Sequence, residues 1–400
     1  MWIVNPSCPI EVECSRQACM ARYFQNIGYD VTIFTATGDF CKEHTFTEKW
    51  NVKFFYISLG EFRENNVKRA LSIRKFQNAV VNYGKKNGAP EVLVSNYSGF
   101  FGEKLFRLKK LGTKIILDIL DFWPEVFVDL GYLGHKSPIT KFLYWREYIT
   151  YSRCDALGFS VEGGAEYIKE KHWDVEHGGK VDTNHIYYVN NGIDFQIMHE
   201  DKRNYVSEDD DLEKNTFKVV YIGAIGAPNN IDMLVETAKL ASYGKHEDIE
   251  FLVYGNGNQL PRLQEQVIRY KMNNIKFKGA VDNKYSPNII SRCNLSILNF
   301  RSLPTLRFGL SNNKFFLYCI AGRPILSTVR PKYELVESRK CGIVTDNSPE
   351  AILDGILKIK DIDQNTYRDF CINAENCAKE FDYANILAAL KIEVERITEV

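Results

Sequence analysis

The sequence is short of several things, and each shortage removes a class of protein. It carries no net charge, 51 basic residues against 51 acidic ones, so nothing global favours a nucleic-acid partner. Its ten cysteines include no CxxC pair, and close spacings such as Cys14–Cys19 and Cys371–Cys377 are five residues or more. Scattered singly through apparent strands and helices, they read as buried thiols of a reducing compartment. No uninterrupted apolar run is long enough to span a bilayer. The apolar start Met1–Val4 meets Asn5-Pro6 too soon, and lacks the basic start, for a secretory signal. The expected location is the cytoplasm, with any contact to the inner face of the cell membrane peripheral. No serine elbow and no HExxH occurs, which leaves hydrolase readings without support. His172, His177 and His185 lie close in sequence but match no zinc spacing, and no metal site is expected.

What is present is ordinary in bulk and informative in order. Four hundred residues, 45% hydrophobic and 26% charged, suit a soluble globular chain of two domains. Short apolar runs alternate with amphipathic stretches, the pattern of parallel sheets wound with helices. In the first half the strand-like runs are 1–5, 31–35, 53–58, 91–95, 114–118, 156–160 and 186–189, with a helix over about 15–27. A polar segment follows, containing the acidic run Glu208–Asp211, which reads as a solvated linker. The alternation then restarts with strands at 217–222, 249–254, 275–278, 295–298, 325–329 and 342–345. The expected division is an α/β domain over 1–199, a linker over 200–215, a second α/β domain over 216–383, and a terminal helix over 384–400 packing back on the first. Two such domains facing one another would place a ligand cleft at the carboxyl ends of their sheets.

Three stretches could carry chemistry. In Ser311–Pro324, SNNKFFLYCIAGRP, helix-capping residue types precede an apolar run that Gly322 and Pro324 stop. Lys314 puts a cation in the first turn, against the helix dipole, and Arg301 and Arg307 lie just upstream. Each cation alone is best satisfied by water, but the cluster is best satisfied by an anionic ligand such as a diphosphate. In Val219–Leu240, a strand ends at Gly223, a loop carries Gly226 and Asn229-Asn230, and a helix follows. That loop is neither GxGxxG nor a P-loop, and a phosphate cradle and a plain tight turn fit it equally. Gly255-Asn256-Gly257 closes the next strand and leaves room for a base or ribose.

The ordered set VVYIGAIG, IEFLVYGNG, NIKFKGAV, SNNKFFLYCIAGRPIL and CGIVTDNSPEAI resembles the group 1 glycosyltransferases, glycosyltransferase family 4. In the first half the resemblance rests on VECSRQACMARYFQNIGYDVTIFT, ILDILDFWPEVFVDLG and YYVNNGIDF, and its flavour is that of bacterial polysaccharide and O-antigen transferases. It implies the GT-B fold, two Rossmann-like domains, and transfer of a sugar from a nucleotide donor with retention of configuration and no metal. A UDP-sugar is favoured over a GDP-sugar, no cofactor is needed, and the acceptor is a saccharide, lipid-linked in the expected setting of cell-surface polysaccharide (lipopolysaccharide or capsule) assembly. Carried onto this chain, Gly223, Gly226, Asn230, Arg301, Asn312, Asn313 and Lys314 would hold the diphosphate. Gly255, Asn256, Gly257 and Val281 would frame the base and ribose. Arg16, Trp123, Asn191 and Asp194 would line the acceptor side.

The chain departs from the family where relatives carry paired glutamates, since Gly309 and Leu317 stand at the corresponding positions. That loads more of the leaving-group chemistry onto Lys314 and its neighbouring arginines, where cations and helix amides can stabilise charge without a metal. Asp121 is the candidate carboxylate for the acceptor hydroxyl, with Asp118 and Glu125 as rivals and helix capping as its plain alternative. The DxD spelling Asp361-Ile362-Asp363 lies far from the glycine turns and reads as solvated. From Phe62 to Lys86 a basic amphipathic helix reads as the outer cover of a sheet, or as a contact for anionic lipid, with Phe100-Phe101 close by. Two further readings are a nucleotide-sugar epimerase on the same fold and a non-catalytic partner subunit.

Overall fold

The structure, a computed structural model, describes residues 1–8, 12–37, 45–59, 67–96 and 102–399. The chain forms two compact units, Met1–Asn191 with Tyr383–Val400, and Gly192–Asp382.

The first unit is built on strands β1 (Trp2–Val4), β2 (Thr32–Thr37), β3 (Thr45–Lys49), β4 (Val52–Ser58), β5 (Val92–Asn96), β6 (Lys114–Ile119), β7 (Ala156–Phe159) and β8 (Ile186–Tyr188). Their order in the sheet is β3-β4-β2-β1-β5-β6-β7-β8, parallel throughout except for β3. β3 escapes the sequence pattern because it is a short polar edge strand, TFTEK, joined to β4 through Trp50-Asn51. Both turn residues sit near φ +60°, the left-handed pair that a two-residue hairpin needs, without the usual Asn-Gly spelling. One core of this unit gathers Ile3, Val31, Phe54 and Val94 with Leu387, Leu390 and Val394 of the terminal segment. The other face is covered by the helix Val67–Asn87, which buries Phe76, Val80 and Val81 against Phe34 and Leu93. Burying each such side chain contributes about 1.5–3 kcal/mol. The described part of the basic helix is therefore a sheet cover, while Phe62, Arg63 and Phe100-Phe101 lie outside the described residues.

The second unit carries β9 (Phe217–Ile222), β10 (Ile249–Tyr254), β11 (Ile275–Gly279), β12 (Leu295–Leu298), β13 (Ile325–Ser327) and β14 (Gly342–Val344). The order is β11-β10-β9-β12-β13-β14, all parallel, and the winding reverses between β9 and β12. In a doubly wound sheet, ligands bind at the carboxyl ends of the strands beside that reversal. Here the two strand ends are Ile222-Gly223 and Leu298-Asn299.

The acidic run behaves differently from a solvated linker. The helix Phe195–Asn204 and the turn Asp210–Glu213 both belong to the second unit. Asp211 binds Lys276 and Lys278, while Asp209 takes Lys278 and accepts a 2.6 Å hydrogen bond from the Tyr254 hydroxyl. Burial opposes ionisation of Asp211, but hydrogen bonds from Lys214, Lys276 and Lys278 outweigh it and hold its pKa well below the usual range. Local composition could not show this, because the lysines come from strand β11 some sixty residues on. In the DxD spelling, Asp363 caps the helix Gln364–Glu380.

Candidate functional site

The helix Asn313–Ala321 starts beside the sheet reversal and forms for local reasons. The Asn312 side chain caps it by accepting the Lys314 amide at 2.8 Å. Gly322, in the left-handed region at φ +68°, ends it. Its apolar residues other than Leu317 are buried, and the Tyr318 hydroxyl accepts the Ile222 amide at 3.2 Å, tying the helix to the end of β9.

Lys314 lies across the end of β9. A Cβ on Gly223 would stand 2.8 Å from Lys314 Cδ, so a larger residue there would have to displace the lysine side chain. The ammonium donates a 2.8 Å hydrogen bond to Asn229 Oδ1 and sits 4.5 Å from the centre of the Phe300 ring. Desolvation pushes its pKa down to about 8. Among the described residues no carboxylate pairs with it. A partly desolvated ammonium at a helix start, held by one neutral amide, is suited to receive an anion.

The loop beneath is fixed from the neighbouring strand. Asn299, fully buried, donates to the carbonyls of Asn229 (2.9 Å) and Asn230 (2.6 Å). The Thr328 hydroxyl donates to Asn299 Oδ1 at 2.9 Å, and Asn230 Nδ2 to Asn347 Oδ1 at 3.0 Å. Asn230 itself is left-handed at φ +52° and starts the helix Ile231–Tyr243. Gly226 opens the short turn Ala227–Asn229, and its carbonyl accepts the Asn229 amide. The Arg301 amide donates to Pro228, while its side chain and that of Asn313 are exposed. Arg307 folds back over Phe308 and donates to the Pro304 carbonyl. A cavity of about 460 Å³ opens beside this network, its lining including Ser302, Thr328, Arg330 and Asn347.

The glycine turns lie edge to edge. Gly255 (φ +145°) packs so tightly that a Cβ would meet the Gly223 oxygen at 1.9 Å, and one on Gly257 would meet Ile225 O at 2.2 Å. Asn256 is exposed beside them, and half-buried Val281 follows the turn after β11.

In the first unit the three carboxylates weighed from sequence separate cleanly. Asp118 is buried against Arg16, whose Nε and Nη2 donate to it at 2.8 and 2.7 Å. The rest of that guanidinium goes to the carbonyls of Val189 and Asn190. Arg16, expected to line a binding surface, is 7% exposed and turned inward to knit β6 to the chain after β8. Glu125, also buried, takes Tyr144 and Lys171 at 2.6 Å each. Asp121 is exposed, and desolvation by nearby protein still raises its pKa. Among the described residues its carboxylate has no hydrogen bond or ion pair, so it does not cap the helix that follows. Trp123 packs against Phe127 with the rings tilted, 4.4 Å apart between centres. Asn191 is the last residue of the first unit, and Asp194, in the second, caps the helix Phe195–Asn204.

Asn299, Tyr318, Thr328 and Asn347 were not legible as site residues. The one signal was position: Asn299 is the first polar residue after the apolar run of β12, at a strand's carboxyl end.

Residues 216–361 match the family model of the group 1 glycosyl transferases. An uncharacterized glycosyltransferase of Methanocaldococcus jannaschii is 27% identical over 187 residues, 46% of this chain and 46% of that protein, so the match spans about half of the relative. Among solved structures, sucrose-phosphate synthase from Thermosynechococcus elongatus superposes with a TM-score of 0.77 at 14% identity, over 100% of this chain and 98% of that one. HepE of Anabaena, solved in complex with UDP, gives 0.66 at 11% identity, over 99% of each chain. The fold is that of the GT-B glycosyltransferases. The match to the group 1 glycosyl transferases covers 216–361, within the second unit.

Proposed function

We propose that the protein transfers a sugar, with retention of configuration and without a metal, from a nucleotide-sugar donor to a saccharide acceptor. The observation that carries this is Lys314, a desolvated ammonium at a helix start beside the sheet reversal, held by one neutral amide. Its ammonium, the Asn312–Asn313 helix start and the exposed Arg301 receive the diphosphate. The charge that develops on the leaving group is met there by fixed donors. Gly223 and Gly226 allow the close approach, and the turns at Gly255–Gly257 and Val281 frame the base. The first unit holds the acceptor, with Asp121 accepting the hydroxyl proton. Trp123 and Asn191 belong to that unit, and Asp194, at the start of the second unit, contributes to the acceptor site as well.

A UDP-sugar donor is favoured, in keeping with HepE, a structural relative solved with UDP. A lipid-linked saccharide acceptor, peripheral contact with the membrane and a place in cell-surface polysaccharide assembly complete the reading.

The test is thermal unfolding with UDP, GDP, ADP and CMP, each with EDTA. A ligand at about a hundredfold its Kd that binds only the folded chain adds roughly 2.7 kcal/mol. One diphosphate should raise the Tm clearly and lose that effect in Lys314→Gln. No shift with any nucleotide overturns the reading.

A further inference from the structure

On the first unit a groove runs along the helix Val67–Asn87, apart from every residue assigned above. Lys75, Asn78, Ala79, Asn82, Tyr83 and Lys86 of the helix line it together with Phe55 of β4, around a cavity of about 590 Å³. Their spacing of three and four residues puts all six on one helical face. At 1.5 Å per residue the two lysines stand about 16 Å apart along the helix. Ala79, small and central, gives the groove its depth. The wall is aromatic: Phe55 and Tyr83 lie 4.6 Å apart between ring centres, and the exposed ring of Phe46 adds to it 4.7 Å from Phe55.

The polar groups are uncommitted. Among the described residues, Lys75 and Lys86 pair with no carboxylate, and the carboxamides of Asn78 and Asn82 bond to no protein group. Among the described residues, no acidic side chain lines the groove.

We propose that this groove docks a short acidic oligosaccharide. Aromatic rings pack against the C–H faces of pyranose rings through dispersion, and carboxamides both donate to and accept from sugar hydroxyls. A lysine toward each end then favours a chain bearing carboxylates or phosphates. A lipid surface would call for an apolar and basic face, whereas this one is rich in amides. The choice of a saccharide over another anion rests on the transferase reading above. The two can fail separately, because nucleotide stabilisation reports on the second unit and this groove on the first.

The experiment titrates the full-length protein with tetragalacturonate and, as a neutral control, maltotetraose, by isothermal calorimetry. Tetragalacturonate should bind at least tenfold more tightly than the control. The double variants Lys75→Ser/Lys86→Ser and Asn78→Ala/Asn82→Ala should each weaken it tenfold or more while the nucleotide-induced Tm shift stays unchanged. The proposal is overturned if tetragalacturonate does not bind, or binds both double variants as well as the parent. Sedimentation with phosphatidylglycerol vesicles through the same lysines, without competition from tetragalacturonate, would overturn it in favour of a membrane surface.

Discussion

Lys314 donates its 2.8 Å hydrogen bond to Asn229 Oδ1 across 85 residues of sequence, and this contact joins the helix after β12 to the loop after β9. The amide neutralises nothing, so the cation stays available to a ligand. Asn229 is in turn pinned through its carbonyl by Asn299, which links the strand end to the loop.

Affinity for a nucleoside diphosphate should therefore depend on pH with one sign. A bound diphosphate favours the ammonium, whose pKa in the free protein is pushed down to about 8. Binding should be flat below that pH and weaken above it, by up to about tenfold per unit. Lys314→Gln should lose the dependence and bind roughly 10- to 100-fold more weakly, the worth of a hydrogen bond to a charged group. Calorimetry from pH 6 to 9.5 checks both.

Asp121→Asn should separate binding from turnover. In the proposed mechanism this carboxylate accepts the hydroxyl proton, so the variant should lose roughly 100- to 10,000-fold in transfer rate. Its nucleotide-induced Tm shift should equal that of the parent. Because the carboxyl pKa is raised, the acid limb of the parent's rate profile should lie above the ordinary aspartate range. A variant with parental turnover would remove Asp121 from the mechanism.

Gly255→Ala should damage the proposed donor site through the backbone alone. Its Cβ would meet a carbonyl oxygen at 1.9 Å, with φ at +145°, so the two turns must part. A loss of about 2 kcal/mol or more and of the nucleotide response is expected. Gly28→Ala is the control, since its φ is also positive, at +99°, but nothing lies within 4 Å. It should cost only the local strain, about 1–2 kcal/mol, and keep the nucleotide response.

Asp211→Asn should destabilise the second unit by about 1–3 kcal/mol near neutral pH, the worth of hydrogen bonds to a charged group. The folded carboxyl pKa is depressed, so its contribution is complete above the unfolded value of about 3.9 and is lost as pH falls below it. Urea midpoints for parent and variant should differ at pH 7 and converge as the solution is taken below pH 4.

The order of apolar runs was enough for most of the strands, and in β9, β10 and β12 the ends agree to the residue. The reason is that strands buried on both faces read as continuous Val, Ile and Leu runs, a property of local sequence. Asn312 and Gly322, which bound the Lys314 helix, were legible for the same reason, because capping is a contact between near neighbours. β3 was not, since an exposed edge strand needs no apolar pattern. Whether a charged residue faces inward or outward was likewise a tertiary decision. Arg16 is spent on Asp118, 102 residues away, and Asp211 on lysines of β11, 65 and 67 residues on. Only the fold could therefore leave Asp121 without a partner among the described residues while committing its two rivals. The sequence by itself determined the two wound sheets and the helix that presents Lys314. The tertiary structure decided which cations and carboxylates remained available, because ion pairs and desolvation depend on neighbours that chain order does not supply.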